Sequence, residues 1–241
     1  MLGAIARPRA QLQSRRPKQK GVRRTRIKIC CIQSADEARL AIAAGVDALG
    51  LVGTMPSGPG PIDDARIAAI AARVPPPVAT FLLTSETGPA AIIAHAKRCR
   101  TNTLQLVDRI EPADYPRLRA ALPGVQLVQV VHVGGEEAVA EAVAAAAHAD
   151  ALLLDSGQPY AAIKVLGGTG RTHDWAISRE IVERVACPVF LAGGLRADNV
   201  ALAIQTVRPF GVDVCTGVRR ADYSLDPAKL QPFVAAVAGA S

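Results

Sequence analysis

From residue 26 onward the chain alternates eight short, apolar, β-prone runs with Ala-rich stretches of helical period. The runs fall at 26–30, 48–52, 78–83, 103–107, 126–133, 151–154, 189–192 and 212–214. Helix-like stretches occupy 34–44, 63–73, 88–99, 136–148, 175–186, 197–207 and 226–237. Ser34 and Asp63 stand where N-caps are wanted, and Gly45 where a helix stops. Strands joined through helices pair in parallel, because a parallel crossover needs that length of chain. Eight strands is the number that closes a (β/α)8 barrel, the TIM barrel. An open doubly wound sheet has the same periodicity. Regular spacing, and Gly-rich turns that follow late strands rather than the first, favour the closed form. The chain is 50% hydrophobic but only 3% aromatic, so its core is built from Ala, Val, Ile and Leu. Small branched side chains suit parallel strands covered on both faces.

The formal charge of +7 is concentrated at one end. Nine Lys or Arg and no acid lie within residues 1–26, and the remaining 19 basic residues face 21 acidic ones. The excess therefore describes a tail rather than a domain, which argues against a nucleic-acid partner. Without apolar periodicity, and with Pro8 and Pro17, residues 1–25 read as a disordered basic extension to a single domain at 26–241. Arg15 and Arg16 are followed by no apolar stretch, so they do not make a twin-arginine signal. No run approaches the roughly 18 apolar residues of a membrane span. Five cysteines, an odd number with no CxxC pair, suggest reduced thiols in a cytoplasm rather than a disulfide framework or a metal site. Oligomeric state is not legible at this level.

In a barrel of this kind, chemistry belongs to the loops at the C-terminal ends of the strands. The reactive side chains there are Cys30, His132, Asp155 and Asp213. Three glycine-bearing turns accompany them: Gly167 to Gly170 with Thr169, Gly193 with Gly194, and Thr216 with Gly217. Glycine lets backbone N–H groups approach an anion closely, and turns after strands seven and eight commonly hold a phosphate. A phosphorylated small molecule is the expected ligand. The one long connection, 156–174, carries the first of these turns.

Several of these residues recur together in one known family. Lys28-Ile29-Cys30, Leu153-Leu154-Asp155, Gly167-Gly168-Thr169-Gly170 with His173-Asp174-Trp175, Ala192-Gly193-Gly194-Leu195, Asn199-Val200 and Gly211-Val212-Asp213-Val214 with Thr216-Gly217-Val218 occur in order. Over residues 26–237 the chain resembles the phosphoribosylanthranilate isomerases of tryptophan biosynthesis. The resemblance implies an Amadori rearrangement of an aminoaldose to an aminoketose, with neither cofactor nor metal. It implies Asp155 as general acid and Cys30 as general base. Asp213, Lys28 and Gln105 become substrate-side residues, and Gly168, Thr169, Gly170, Gly193, Gly194, Thr216 and Gly217 the phosphate site. Lys28 shares a strand face with Cys30, so it either lowers that thiol's pKa or forms a buried ion pair with Asp213 or Asp47.

The chain also departs from that pattern. The family's Ser-Pro-Arg loop after strand two, whose Arg pairs with the anthranilate carboxylate, reads 53–61 here and has no cation. Val107 and Asp108 stand where the family usually has His-Gly, Cys31 replaces the glycine after the catalytic cysteine, and Arg219 replaces a common glutamate. Arg219 and His132 are the residues that would take over the carboxylate. Two alternatives follow: an isomerase or epimerase of another phosphosugar, and a non-catalytic phosphate-ligand binder. Cys31, Cys99, Cys187 and Cys215 read as packing, and His95, His148 and His173 as residues without an evident partner.

Overall fold

A computed structural model describes residues 24–56, 58–156 and 173–240. Eight parallel strands close into a barrel in sequence order, each hydrogen-bonded to the next and the eighth to the first. They are β1 (Arg26–Ile29), β2 (Ala48–Val52), β3 (Ala79–Thr84), β4 (Thr103–Leu106), β5 (Gln126–His132), β6 (Ala151–Asp155), β7 (Val189–Leu191) and β8 (Gly211–Val214). Eight helices surround them: α1 (Ala35–Ala43), α2 (Asp64–Ala71), α3 (Pro89–Cys99), α4 (Tyr115–Ala121), α5 (Glu137–Ala146), α6 (Trp175–Arg184), α7 (Val200–Val207) and α8 (Pro227–Ala240). Among the described residues no helix is long and apolar enough to cross a membrane. Residues 1–23, most of the expected basic extension, lie outside the described residues. Arg24 and Thr25, counted with that extension, belong to the described body: Arg24 pairs with Asp47, and Thr25 is buried.

The strands separate two cores because alternate residues face opposite ways. One set, including Val52, Phe81, Leu83, Val128, Val130, Leu153 and Phe190, fills the barrel interior. The other, including Leu49, Leu82, Leu104, Leu127, Val131, Leu154 and Val212, packs under the helices. Local chemistry starts the helices where expected: Ser34 accepts the Glu37 N–H and Asp63 the Arg66 N–H, satisfying donors that have no partner in the first turn.

Two elements differ from the sequence reading. Helix α4 has no counterpart in it, since the element is seven residues long and sits between Pro112 and Leu122 behind a single 3-10 turn. What anchors it is a tertiary bond: Tyr115 Oη donates to Gln129 Oε1 at 2.7 Å, while Gln129 Nε2 donates to the carbonyls of Leu106 and Asp108. Helix α7 starts at Val200 rather than near Ala197, because Asn199 takes up the preceding turn. Its Oδ1 accepts the Arg196 N–H and its Nδ2 donates to the Gly194 carbonyl.

Helix α8 is held by Phe233, which is fully buried. Phe233→Ala is expected to cost about 3–5 kcal/mol through lost burial and the cavity left behind. Urea unfolding would give this value, and a loss under 1 kcal/mol would mean that α8 contributes little to the core.

Candidate active site

The interior residues at the C-terminal rim of the barrel line a mouth that opens to solvent. Cys30, Gln105, Asp155, Gly193, Gly194, Asp213 and Thr216, seven of the residues singled out from the sequence, line it. Strand alternation turns Asp155 on β6 and Asp213 on β8 inward, as it does Cys30 just past β1. Lys28 on β1, expected on the substrate side, points inward too but lies below the mouth and does not line it.

Beneath the rim, Lys28 is fully buried, and its Nζ lies 2.8 Å from Asp213 Oδ2. The two residues face each other in the β1–β8 register. Of the two partners open to Lys28, Asp213 is the one it takes; Asp47 instead accepts the Ile27 N–H and pairs with Arg24. Burial alone would drive Lys28 towards its neutral form, but the charges of Asp213 and Cys30 outweigh it and hold the ammonium charged. Nζ also sits 5.3 Å from the Phe81 ring centroid, a favourable cation–π position. Gly50 on β2 makes room for the arrangement. A Cβ there would come within 3.0 Å of both Cys30 Sγ and Lys28 Nζ.

Cys30 follows β1, and its N–H donates to the Val214 carbonyl at 2.8 Å. Its thiol is drawn below the usual cysteine range, first by a hydrogen bond from Cys31, against the effect of burial, and then by the charges of Lys28 and Arg219. Cys31 moves the other way: its bonds to Cys215 and Cys30, together with burial, push its thiol well up and keep its proton in place. Cys31 adopts φ 64°, the left-handed region. That conformation fits the glycine usually found at this point of the family pattern.

Asp155 ends β6, and its Oδ1 accepts the Ser156 N–H at 2.7 Å. Two buried acceptors at the mouth have no partner in the structure, Gln105 Oε1 and Asp213 Oδ1. Buried acceptors of this kind call for a donor. The glycine turns after β7 and β8 are tightly built. Gly193 and Gly194 have φ of 83° and 63°, and a Cβ on Gly217 would lie 2.1 Å from the Leu195 carbonyl oxygen. Thr216 opens the single 3-10 turn 216–218 on the same side. Gly168, Thr169 and Gly170 lie outside the described residues.

A model of the N-(5'-phosphoribosyl)anthranilate (PRA) isomerase family matches residues 27–236. The chain belongs to this family. Curated isomerases of that name include one from Methanocella arvoryzae, 33% identical over 210 residues that make up 87% of this chain and 96% of that protein. Another, from Chromohalobacter salexigens, is 39% identical over 217 residues, 90% of this chain and 95% of that one. The solved phosphoribosyl anthranilate isomerase of Thermotoga maritima superposes with a TM-score of 0.77 at 27% identity, covering 89% of this chain and 99% of its own. A second solved isomerase, at TM-score 0.75 and 25% identity over 89% of this chain and 99% of its own, holds reduced 1-(O-carboxyphenylamino)-1-deoxyribulose 5-phosphate.

Against the isomerase pattern, four residues take places that the sequence reading did not give them. Cys31 and Cys215, read as packing, do pack in the interior core and also line the mouth, with Cys31 Sγ donating to the Pro59 carbonyl at 3.5 Å. The signal for Cys31 was its replacement of a glycine beside the catalytic position. Arg219, offered as a grip for the substrate carboxylate, is 2% exposed and spends its guanidinium on Glu37 and on the Cys30 and Tyr223 carbonyls. His132 donates from Nε2 to the Val107 carbonyl at 3.0 Å and does not line the mouth. The three histidines read as partnerless have partners: His95 bonds Thr84 and Asp64, His148 stacks on Tyr115, and His173 bonds Ser178. Asp64, His95 and Cys99 bring three ligand-type atoms within 4.8 Å of one another between α2 and α3. There the Asp64 carboxylate is already taken by His95 and Arg98.

The buried Lys28–Asp213 pair sets a stability expectation. Lys28→Met leaves Asp213 buried without its cation and is expected to cost about 3–5 kcal/mol. Lys28→Met with Asp213→Leu, which removes both charges, should recover most of that loss. Denaturant unfolding of the two variants measures this, and equal losses in the single and double variants would contradict it.

Proposed function

We propose that the chain catalyses the Amadori rearrangement of N-(5'-phosphoribosyl)anthranilate, with Asp155 as general acid and Cys30 as general base. The observation that carries this reading is their arrangement. The Asp155 carboxyl and the Cys30 thiol, its pK lowered, come from strands well separated around an eight-stranded ring and line a single mouth beside glycine turns suited to phosphate. A solved relative holds a compound related to the product of such a rearrangement, the reduced form of a carboxyphenylamino-deoxyribulose 5-phosphate.

In this reading the phosphate lies against the backbone N–H groups of Gly193 and Gly194, the Thr216–Gly217 turn and the turn at Gly168, Thr169 and Gly170. Asp155 gives its proton to the ring oxygen as the C1–O bond breaks, leaving an open-chain iminium. The Cys30 thiolate then takes the proton from C2, and the electron pair of that C–H bond neutralises the iminium to give an enolamine. Moving the hydroxyl proton from oxygen and returning a proton to C1 completes the aminoketose. C1 is reduced and C2 oxidised within one molecule, so the atoms and electrons balance without an external redox partner. Gln105 Oε1 and Asp213 Oδ1 accept from the sugar hydroxyls or the amine, and Lys28 opposes the upward shift that burial imposes on the Asp213 carboxyl. Reduced thiols in and around the mouth fit a cytoplasmic site of action.

The cation-free loop at 53–61 favours one second reading, a phosphosugar substrate that lacks the aromatic carboxylate. Among the described residues lining the mouth there is no Lys or Arg. Turnover of freshly prepared phosphoribosylanthranilate, followed by loss of its fluorescence, separates the two. The rearrangement reading expects turnover in the wild type, and folded protein without turnover would favour the second. Cys30→Ala and Asp155→Ala are each expected to lose roughly 10²–10⁴-fold in rate, the usual scale of general acid–base catalysis. Both should keep the thermal stabilisation given by inorganic phosphate. Full activity in either variant would remove that residue from its role.

A further inference from the structure

The turn after β8 carries a buried arginine that the rearrangement as described does not use. Arg219 Nη2 donates to the Cys30 carbonyl at 2.7 Å, and Nη1 donates to Glu37 Oε2 at 2.8 Å and to the Tyr223 carbonyl at 3.1 Å. Glu37 is itself fixed on α1. Its Oε2 accepts the Gln33 N–H at 2.9 Å, and its Oε1 accepts the Leu225 N–H at 2.8 Å. The Arg219 carbonyl accepts from Lys229 Nζ on α8 at 2.6 Å. One guanidinium thus joins the end of β1, the start of α1 and the segment leading into α8. Its planar fork has few ways to satisfy all three acceptors at once.

The joint lies at a demanding point of the backbone. The chain turns into a left-handed conformation at Cys31, so the peptide that carries the Cys30 carbonyl has no regular strand or helix to hold it. We propose that Arg219, braced by Glu37, is a positioning residue for Cys30, fixing its peptide and holding a positive charge beside its thiol. This rests on the reading of Cys30 as the catalytic base. A bond to the carbonyl of the reacting residue sets the direction of its side chain, and a cation behind the thiol favours the thiolate over the thiol. Other groups act on the same thiol: Lys28 on the strand that leads to it, Asp213 on β8, and Cys31 beside it, which is influenced in turn by Cys215. From β2 the neighbour is Gly50, which has nothing to titrate. Arg219 is the cation among them whose removal leaves the Lys28–Asp213 pair intact.

The test is the pH dependence of Cys30 alkylation by iodoacetamide, located by peptide mass spectrometry, alongside the pH profile of kcat/KM. Arg219→Gln keeps a donor for the carbonyl but removes the charge. It is expected to move the alkylation midpoint and the acidic limb of kcat/KM up together by roughly one pH unit. Arg219→Lys keeps the charge without the fork, so the midpoint should stay near that of the wild type while kcat falls and KM changes little. A midpoint and limb unmoved in Arg219→Gln, even with a lower melting temperature, would overturn the proposal. If Arg219→Gln fails to fold, a wild-type kcat in Arg219→Lys would overturn it instead. Alkylation does not depend on catalysis. Full turnover by Cys30→Ala would therefore sink the catalytic reading while leaving a midpoint shift in Arg219→Gln standing.

Discussion

Lys28 lies in the barrel interior with no exposure to water, and the structure depends on how its charge is met. An unpaired ammonium there would lose its proton or unfold the barrel, since desolvating a charge costs far more than a domain's net stability. Asp213, one strand away and in register, supplies the opposite charge at 2.8 Å. The pair therefore fixes β1 against β8 at the seam where the barrel closes. Hydrophobic residues of similar volume would close that seam as well or better. What they could not supply is a positive charge directly below Cys30.

That charge organises the mouth above it. Lys28 from below and Arg219 from the turn after β8 draw the Cys30 thiol towards its ionised form, and Cys31 adds a donor held in its protonated state. Asp155 stands across the barrel on β6, bonded through Oδ1 to the N–H of its own neighbour Ser156. The glycine turns after β7 and β8 crowd against each other so closely that Gly217 has no room for a side chain. Asp155, Cys30 and the glycine turns proposed as acid, base and anion site are thus held at the ends of different strands of one closed sheet. Their separation is set by barrel geometry rather than by loop conformation.

Most of the barrel was legible in the sequence because its signal is repeated. Eight apolar runs at regular intervals constrain one another, and the side chain at each strand end inherits its direction from two-residue alternation. Cys30, Asp155 and Asp213 could be placed at the mouth on that ground, and Gly193, Gly194 and Thr216 as turns following β7 and β8; His132, placed by the same reasoning, does not line it. What failed to read were facts set by distant contacts. Asp213 and Asp47 were equal partners for Lys28 on paper, and only a register 185 residues apart in sequence decides between them. Arg219 read as a free cation at a strand end, yet Glu37, 182 residues away, turns it inward. Helix α4 escaped because seven residues between prolines carry no period, and Tyr115 docks it through Gln129 on a neighbouring strand. Cys31 left a local trace, a bulky residue at a glycine position, but the effect of its thiol on Cys30 needed the fold.

If Cys30 is the base, its thiolate must form over the same pH interval in which kcat/KM rises. The measurement is the ultraviolet thiolate titration of the wild type, taken as a difference from Cys30→Ala, set beside the pH profile of phosphoribosylanthranilate turnover. The two midpoints should coincide and lie below the ordinary thiol value of about 8.5. A rate that is flat across the Cys30 titration, or that rises at a different pH, would contradict the assignment of the base.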